Sequence, residues 1–590
     1  FLQDVKSEYE LRKGRKYPYQ KFIMAETPIS FAGYVRNWKG NSEQTQPEMV
    51  FLPEFATTLP SSNFKFAKKR MANWGRRDPQ GAMEEIDVEM NVIRDFARRV
   101  LLSEETFQEE GNTFVNMFSG EWSGTSKLNK YDLSSMYFNY AGSIYSQNFP
   151  IIDIVMNTML KQEESDQGRH FFRMFNGMGD DQRAASYLNG KSFEQAVLDN
   201  TLSTEVFYEM MKLKGVYLRN YINSRLSSNE FKEFMAEFTK RYQFQEVNFT
   251  RLNSEFIRKF HFNLMDFIPN WYTINSTPRF IVKGVDADQV EVGDYTKYIV
   301  KFQVYNPTNV EGVISVNVEE GGGMFPGGPR GRRGRAAQME AKPAKNYIIE
   351  PQKYKEIRIL CDERPSNLTI NTNISQNLPS TIMQNFAKVT TTTTDTVTGI
   401  FDSNATLFTF NPKEITVDNE DPGFRIIESN QKNKLQSFFK KESEDKYKNL
   451  NFWMPPSRWT ATIGVNYYGD YINSAVYKKS GSGSNKTEWT TQIQIPGFYE
   501  VFVYTSELPM MGWRHRGGEE KKIQYYTVKH DDGEEEISVE TGRGRQGWRT
   551  LGSFYFSKGE AKITLSDKGS ESNQIIFADA VKWVYTNNNK

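Results

Sequence analysis

Three short clusters in this 590-residue chain carry the side chains best suited to chemistry. Trp513, Arg514, His515 and Arg516 follow Pro509-Met510-Met511-Gly512 in what reads as a loop between strands. An indole beside cationic donors suits a sugar or peptide, which would stack on the ring and hydrogen-bond to its neighbours; the alternative is that Trp513 plugs the end of a sandwich. Arg330, Arg332, Arg333 and Arg335 lie in a loop of glycine and proline, 321–335, and suit an anionic partner. That partner is either a phosphate backbone, as for arginine–glycine segments that bind RNA, or anionic lipid or lipopolysaccharide at a hairpin tip. Glu84, Glu85, Asp87 and Glu89 offer oxygens to a hard cation, or else form the solvated acidic start of a helix.

Missing residue types narrow the chemistry further. The four histidines, His170, His261, His515 and His530, are nowhere spaced as metal ligands on one helix face. His530 stands beside Asp531 and Asp532, but it alternates with Val528 and Tyr526 and so reads as a strand residue. Cys361 is the only cysteine, which excludes an intrachain disulfide and a cysteine-based zinc knuckle; this fits a cytoplasmic protein or a bacterial envelope protein built without disulfides. No serine or cysteine nucleophile falls into order with a histidine base, and the Gly321–Gly328 run lacks the Lys-Ser/Thr of a phosphate loop. We therefore expect no catalytic residue, no metal and no cofactor.

The elements around these clusters follow from periodicity. Residues 1–80 read as a β-like N-terminal segment with two short Pro-bounded runs, Tyr17–Pro28 and Pro47–Glu54. Residues 81–268 read as an α-helical domain: Ile86, Met90, Ile93, Ala97 and Val100 share a helix face, as do Val206, Met210, Leu213 and Tyr217, and Phe231, Met235, Phe238 and Tyr242. Ser192 and Ser227 open capping boxes. From Pro278 the period becomes two, and residues 278–362 predict an Ig-like β-sandwich. The Asn- and Thr-rich stretch 363–412 reads as a linker, and 413–588 as a sandwich of jelly-roll type with a hairpin turn at Asp531-Asp532-Gly533. The fold class is therefore α+β and multidomain.

Lys+Arg 74 against Asp+Glu 73 leaves no basic excess for bulk nucleic-acid or anionic-membrane binding. No apolar run approaches the roughly 20 residues of a membrane helix. Phe1 in place of Met reads as the processed or ordered part of a longer polypeptide, with room for a membrane segment upstream.

Five blocks in order, Asp418–Phe424, Pro496–Val503, Tyr526–Val528, Gly547–Gly552 and Ala578–Val581, resemble the golvesin or xanthan-lyase C-terminal domain. That resemblance implies a carbohydrate-binding-like module of secreted or surface proteins, and Trp548, in its Gly-Trp block, is expected in the core. Tyr17–Tyr19, Ala25–Pro28 and Pro47–Glu54 ahead of a helical block resemble gluzincin aminopeptidases. The likeness is closer to the peptidase-like extracytoplasmic region that Bacteroidota membrane proteins carry beside ABC-type permease segments. The His-Glu-x-x-His helix of active members is absent, which implies a non-catalytic relative. The expectation is a periplasmic or cell-surface, membrane-associated binding or scaffold protein. Its partner would be a protein, an upstream membrane segment or a glycan. The alternatives are a hydrolase of peptide or polysaccharide with an unrecognised site, and an RNA-associated protein working through the arginine–glycine loop.

Overall fold

The computed structural model describes short strands within 20–53, then 142–150, 179–242, 245–320, 344–428, 446–506 and 522–586 apart from a few positions. The chain forms two compact units, residues 1–168 with 226–268, and residues 169–225 with 269–590.

In the first unit, β1 (Ile23–Thr27), β2 (Tyr34–Arg36), β3 (Asn41–Glu43), β4 (Thr45–Gln46) and β5 (Met49–Pro53) fall on and between the two Pro-bounded runs, and β1 pairs parallel to β5. β6 (Gly142–Tyr145) pairs parallel to β7 (Gln245–Asn248). Two later helices pack through phenylalanines spaced three and four apart: Phe234 meets Phe256 and Phe260 edge-on, with ring centroids 5.3 and 5.4 Å away.

In the second unit, α1 (Asp180–Tyr187), α2 (Phe193–Leu198) and α3 (Thr204–Asn223) precede the sheets. Ser192 caps α2 and receives the Gln195 side chain in return, a full capping box. In the first unit Ser227 and Glu230 do the same for α4 (Ser228–Arg241), which is followed there by α5 (Phe249–Phe260). Short α6 (Ile268–Thr273) brings Trp271 beside Lys214 of α3, whose buried ammonium donates to the Trp271 carbonyl at 2.5 Å.

The block 81–268, expected as one helical domain, is thus divided between the units, and most of its first half lies outside the described residues. Met210, Met211, Tyr217, Leu218, Tyr221 and Ile222 bury the apolar face of α3, which packs against the sheet strands β10 and β11. Asn220 donates to the Asn373 side chain at 2.8 Å across that contact. An amphipathic stripe calls for a cover but does not specify whether a helix or a sheet supplies it.

The first sandwich pairs a sheet ordered β11-β10-β13-β14 with one ordered β15-β8-β9-β12-β16. Its strands are β8 (Ile281–Val292), β9 (Tyr295–Tyr305), β10 (Gly312–Glu320), β11 (Lys345–Ile349), β12 (Tyr354–Cys361), β13 (Pro365–Asn371), β14 (Thr381–Asn385), β15 (Thr392–Thr393) and β16 (Gly399–Asp402). Phe280, Val300, Phe302, Ile314, Ile357, Cys361 and Ile370 form its core. Four of these strands come from 363–412, so that stretch completes the sandwich instead of linking it onward. Its polar composition misled because the asparagines bond internally. Asn377 accepts from the Phe280 N–H and donates to the Phe280 carbonyl, at 2.9 and 2.7 Å, and is 1% exposed.

The second sandwich holds sheets ordered β17-β28-β22-β25, β18-β21-β26-β23-β24 and β19-β20-β27. The strands are β17 (Glu414–Val417), β18 (Phe424–Ile427), β19 (Thr460–Ile463), β20 (Ser474–Lys479), β21 (Lys486–Ile493), β22 (Gly497–Thr505), β23 (Lys522–His530), β24 (Gly533–Thr541), β25 (Gly547–Phe556), β26 (Gly559–Gly569), β27 (Ile575–Ala578) and β28 (Val581–Thr586). Its core joins Trp489, Tyr499, Val501, Tyr526, Val528, Ile563, Leu565 and Trp583. Asp531 and Asp532 form the two-residue turn between β23 and β24. Within the core, Lys478 and Asp567 form an ion pair with side chains 3% and 0% exposed.

Candidate functional site

On β22 the residues Tyr499, Val501 and Val503 enter the core, which turns Phe498, Glu500, Phe502 and Tyr504 to the opposite face of the sheet. On β28, Val581 and Trp583 point in and Lys582 and Val584 out. Register then places Phe498 opposite Tyr555, Phe502 between Thr550 and Lys582, and Tyr504 opposite Trp548. Phe498 and Tyr555 pack edge-on at 5.4 Å and are both exposed. The Lys582 ammonium sits 4.7 Å from the Trp548 ring and 5.5 Å from that of Phe502, with Glu414 3.4 Å away.

Trp548 is therefore not a core residue, contrary to the expectation from its motif. Phe554 and Phe556 of the same strand point inward, and strict alternation would carry Trp548 inward with them. A β-bulge intervenes: Val501 faces Gly552 while Phe502 faces Thr550, leaving Leu551 as the extra residue and reversing the parity of everything before it. Gly552 has φ +134°, and a Cβ there would lie 3.1 Å from the Phe554 ring. A glycine inside a strand pattern is the signal that marks such a bulge in a sequence.

The loop 464–473 folds over one end of this face and adds Tyr468, whose ring lies 5.1 Å from Trp548 and 5.7 Å from Tyr504. Gly469 lets the loop close, since a Cβ there would sit 1.9 Å from the Ile472 carbonyl oxygen. From beneath, the Tyr468 N–H donates to the Asp579 carboxyl at 3.2 Å, and the Ser506 hydroxyl donates to the same group at 2.9 Å. Asp579 is 1% exposed, and burial raises its pKa well above the carboxylate range. Burial, and then the charge of Asp579, pushes Asp418 up to about 9. These carboxyls sit inside the protein, bonded to it, and serve as struts.

Three of the sequence blocks meet on this one sheet: β22, the Gly547–Gly552 stretch of β25, and the entry to β28. Residues 448–585 match the Golvesin C-terminal domain. No curated protein matches the chain. Among solved structures, a Paenibacillus xanthan lyase is 13% identical, with 52% of this chain and 26% of that one covered, at a TM-score of 0.21. The chain thus spans about a quarter of that enzyme. A family 35 carbohydrate binding module from Clostridium thermocellum is 13% identical over 29% of this chain and 98% of that one, at 0.18. A two-domain protein of unknown function from Bacteroides fragilis is 9% identical over 52% and 94%, at 0.13.

Trp513, Arg514, His515 and Arg516 lie outside the described residues, as do Arg330, Arg332, Arg333 and Arg335, the four carboxylates Glu84, Glu85, Asp87 and Glu89, and His170. His261 ends α5 in the left-handed conformation at φ 53°. His530 packs 5.0 Å from Phe554, and its Nδ1 accepts from the Asp532 N–H. Among the described residues no three His, Cys, Asp or Glu side chains group to hold a metal, and no helix is long and apolar enough to cross a membrane. A groove between α4 and α5 is lined by Arg241, Glu255, Arg258 and Lys259, but its charges are turned on one another: Arg241 meets Glu255 at 2.6 Å, and Lys259 meets Glu237 at 3.5 Å.

Proposed function

We propose that the chain is a non-catalytic, extracytoplasmic binding protein of a bacterial envelope and that its Golvesin-type sandwich holds a carbohydrate against the outer face of the β17-β28-β22-β25 sheet. The observation that carries this reading is the placement of Trp548 and Phe502 against the Lys582 ammonium, with Tyr504 and Tyr468 packed on Trp548, on the face turned away from the core. Pyranose rings present C–H faces that stack on aromatic rings, while Lys582, Glu414, Glu500 and Thr550 supply donors and acceptors for hydroxyls. The match to the Golvesin C-terminal domain supports the extracytoplasmic setting. A protein partner or upstream membrane segment for the first 270 residues, and a permease neighbour, rest on the sequence resemblance alone.

Electrophoresis of the full chain through native gels containing xylan, β-glucan, xanthan or polygalacturonate tests the reading, the first two being neutral and the last two acidic. Retardation in at least one gel is expected. Trp548→Ala should weaken that affinity by at least about 30-fold, the loss of a central aromatic anchor worth roughly 2 kcal/mol, with its melting transition kept. Free migration of the wild-type chain in every gel, or equal retardation of Trp548→Ala, would overturn it.

A further inference from the structure

We infer that the Ig-like sandwich is a working part of the carbohydrate face: through Arg279 and the 376–379 turn it sets the position of the loop that delivers Tyr468. This deepens the reading just proposed and rests on it.

The loop 464–473 has two sets of attachments. One belongs to its own sandwich: the Gly464 N–H donates to the Asn473 carbonyl at 3.0 Å, the Asn473 side chain donates to the Tyr467 carbonyl at 2.9 Å, and the Tyr468 N–H reaches Asp579. The other comes from the Ig-like sandwich. The Leu378 N–H donates to the Tyr471 carbonyl at 2.9 Å and the Asn473 N–H donates to the Leu378 carbonyl at 2.7 Å, so the loop and the 376–379 turn are bonded as two short strands would be. The Arg279 guanidinium lies 4.0 Å from the centre of the Tyr471 ring, three residues from Tyr468. Arg279 is itself held by the Gln376 side-chain oxygen, at 3.1 and 2.8 Å, and Gln376 is held by the Thr277 carbonyl and, through its own N–H, by the Pro278 carbonyl. Lys283 adds a weaker tie to Asp470 at 3.6 Å.

These contacts do more than join two domains. They fall on residues 470, 471 and 473, directly beyond the turn at Gly469, whose closure fixes the direction of the Tyr468 ring. A loop held only from its own sandwich would leave that ring free to swing off Trp548 and would charge the ordering cost to each binding event. Held from both sides, it presents Tyr468 before ligand arrives. Arg279 and Tyr471 touch no ligand in this scheme and act as positioning residues, and the two sandwiches form one binding unit.

The test uses the full chain and two readouts, hydrogen exchange of the 464–473 amides and retardation in whichever gel retains the wild type. Arg279→Ala and Tyr471→Ala should speed exchange at Tyr468 and its neighbours by about tenfold, leave the Tyr526 and Val528 amides unchanged, and weaken retardation by a similar factor. Arg279→Lys keeps a cation over the ring and Tyr471→Phe keeps the ring under the cation, so each should recover most of both readouts. A merely structural joint would not produce that pairing of a local exchange change with an affinity change. Wild-type exchange in Arg279→Ala and Tyr471→Ala would overturn the inference, and so would weakened retardation without faster loop exchange. If Trp548→Ala binds as the wild type does, the carbohydrate reading falls instead, and the exchange readout still decides whether Arg279 sets the loop.

Discussion

One sandwich carries two unlike outer faces. On the β18-β21-β26-β23-β24 sheet the outward side carries an ionic group: Glu488 of β21 lies between Arg425 of β18 and Lys562 of β26, with Lys562 3.3 Å away. On the β17-β28-β22-β25 sheet the same outward positions hold Phe498, Phe502, Tyr504, Trp548 and Tyr555. Both sheets bury equally apolar inner faces in one core, so folding alone asks nothing different of the two outsides. On the ionic side Arg425 and Lys562 remain partly exposed and neutralise the buried Glu488 between them, so its charges are already satisfied within the protein. Aromatics gathered on an outer face, one of them, Trp548, turned out by a bulge, are a surface meant to be covered. The contrast assigns contact to one side of the domain and solubility to the other.

The largest effect should come from pH, because the two buried carboxyls beneath the aromatic side are held protonated and not paired with a cation. Asp418 and Asp579 are held protonated in the folded protein, while in the unfolded chain they ionise near pH 4. Folded protein then binds more protons at these two groups than unfolded, so their contribution to stability is full below about pH 4 and is lost as pH rises above it, by about 1.4 kcal/mol per pH unit for each carboxyl while it stays protonated in the fold. The window to measure is pH 5 to 7, below the range where Lys214, which burial pushes down to about 7, opposes the trend. Urea unfolding of the C-terminal sandwich should lose about 2–3 kcal/mol per carboxyl across it, and Asp418→Asn should flatten the slope. A stability that is level or rises over this window would remove the strut role from both groups.

Next in size is the bulge that keeps the faces unlike. Gly552→Ala forces an alanine into a glycine conformation and drives its Cβ toward the Phe554 ring, at an expected cost of about 1–3 kcal/mol. Relaxation by losing the bulge would turn Trp548 inward, so carbohydrate retardation should fall together with thermal stability. If Gly552→Ala keeps both, the bulge does not determine which way Trp548 points.

The contrast between the faces also marks how far the chain could be read from its sequence. Tyr499, Val501 and Val503, or Ala561, Ile563 and Leu565, announce strands because alternation survives unbroken along them. Trp548 stands on the wrong side of the same rule, since one extra residue at Leu551 reverses the count and only Gly552 hints at it. Residues 363–412 read as a linker because Asn and Thr are common in linkers, yet Asn373 and Asn377 donate their amides to the backbone of the first sandwich. The face of α3 was legible as apolar, but what covers it was not, because its partners β10 and β11 lie about a hundred residues on. Tyr468 left no local pattern at all. Its role depends on Asp579 and Trp548, which are 111 and 80 residues away in the chain.

The smallest expected effect is the one that defines the ionic face. Lys562→Ala removes one partner of Glu488 and leaves Arg425, so the carboxylate keeps a neutralising neighbour. Lys562 is about a quarter exposed and Glu488 is 6% exposed, but Arg425 still neutralises the carboxylate, which limits the cost to roughly 1 kcal/mol. Carbohydrate retardation should not change, because Lys562 lies on the sheet opposite Lys582 and Trp548. An equal loss of binding in Lys562→Ala and Trp548→Ala would mean that the ligand does not distinguish the two faces, and the division between contact side and solvent side would have to be abandoned.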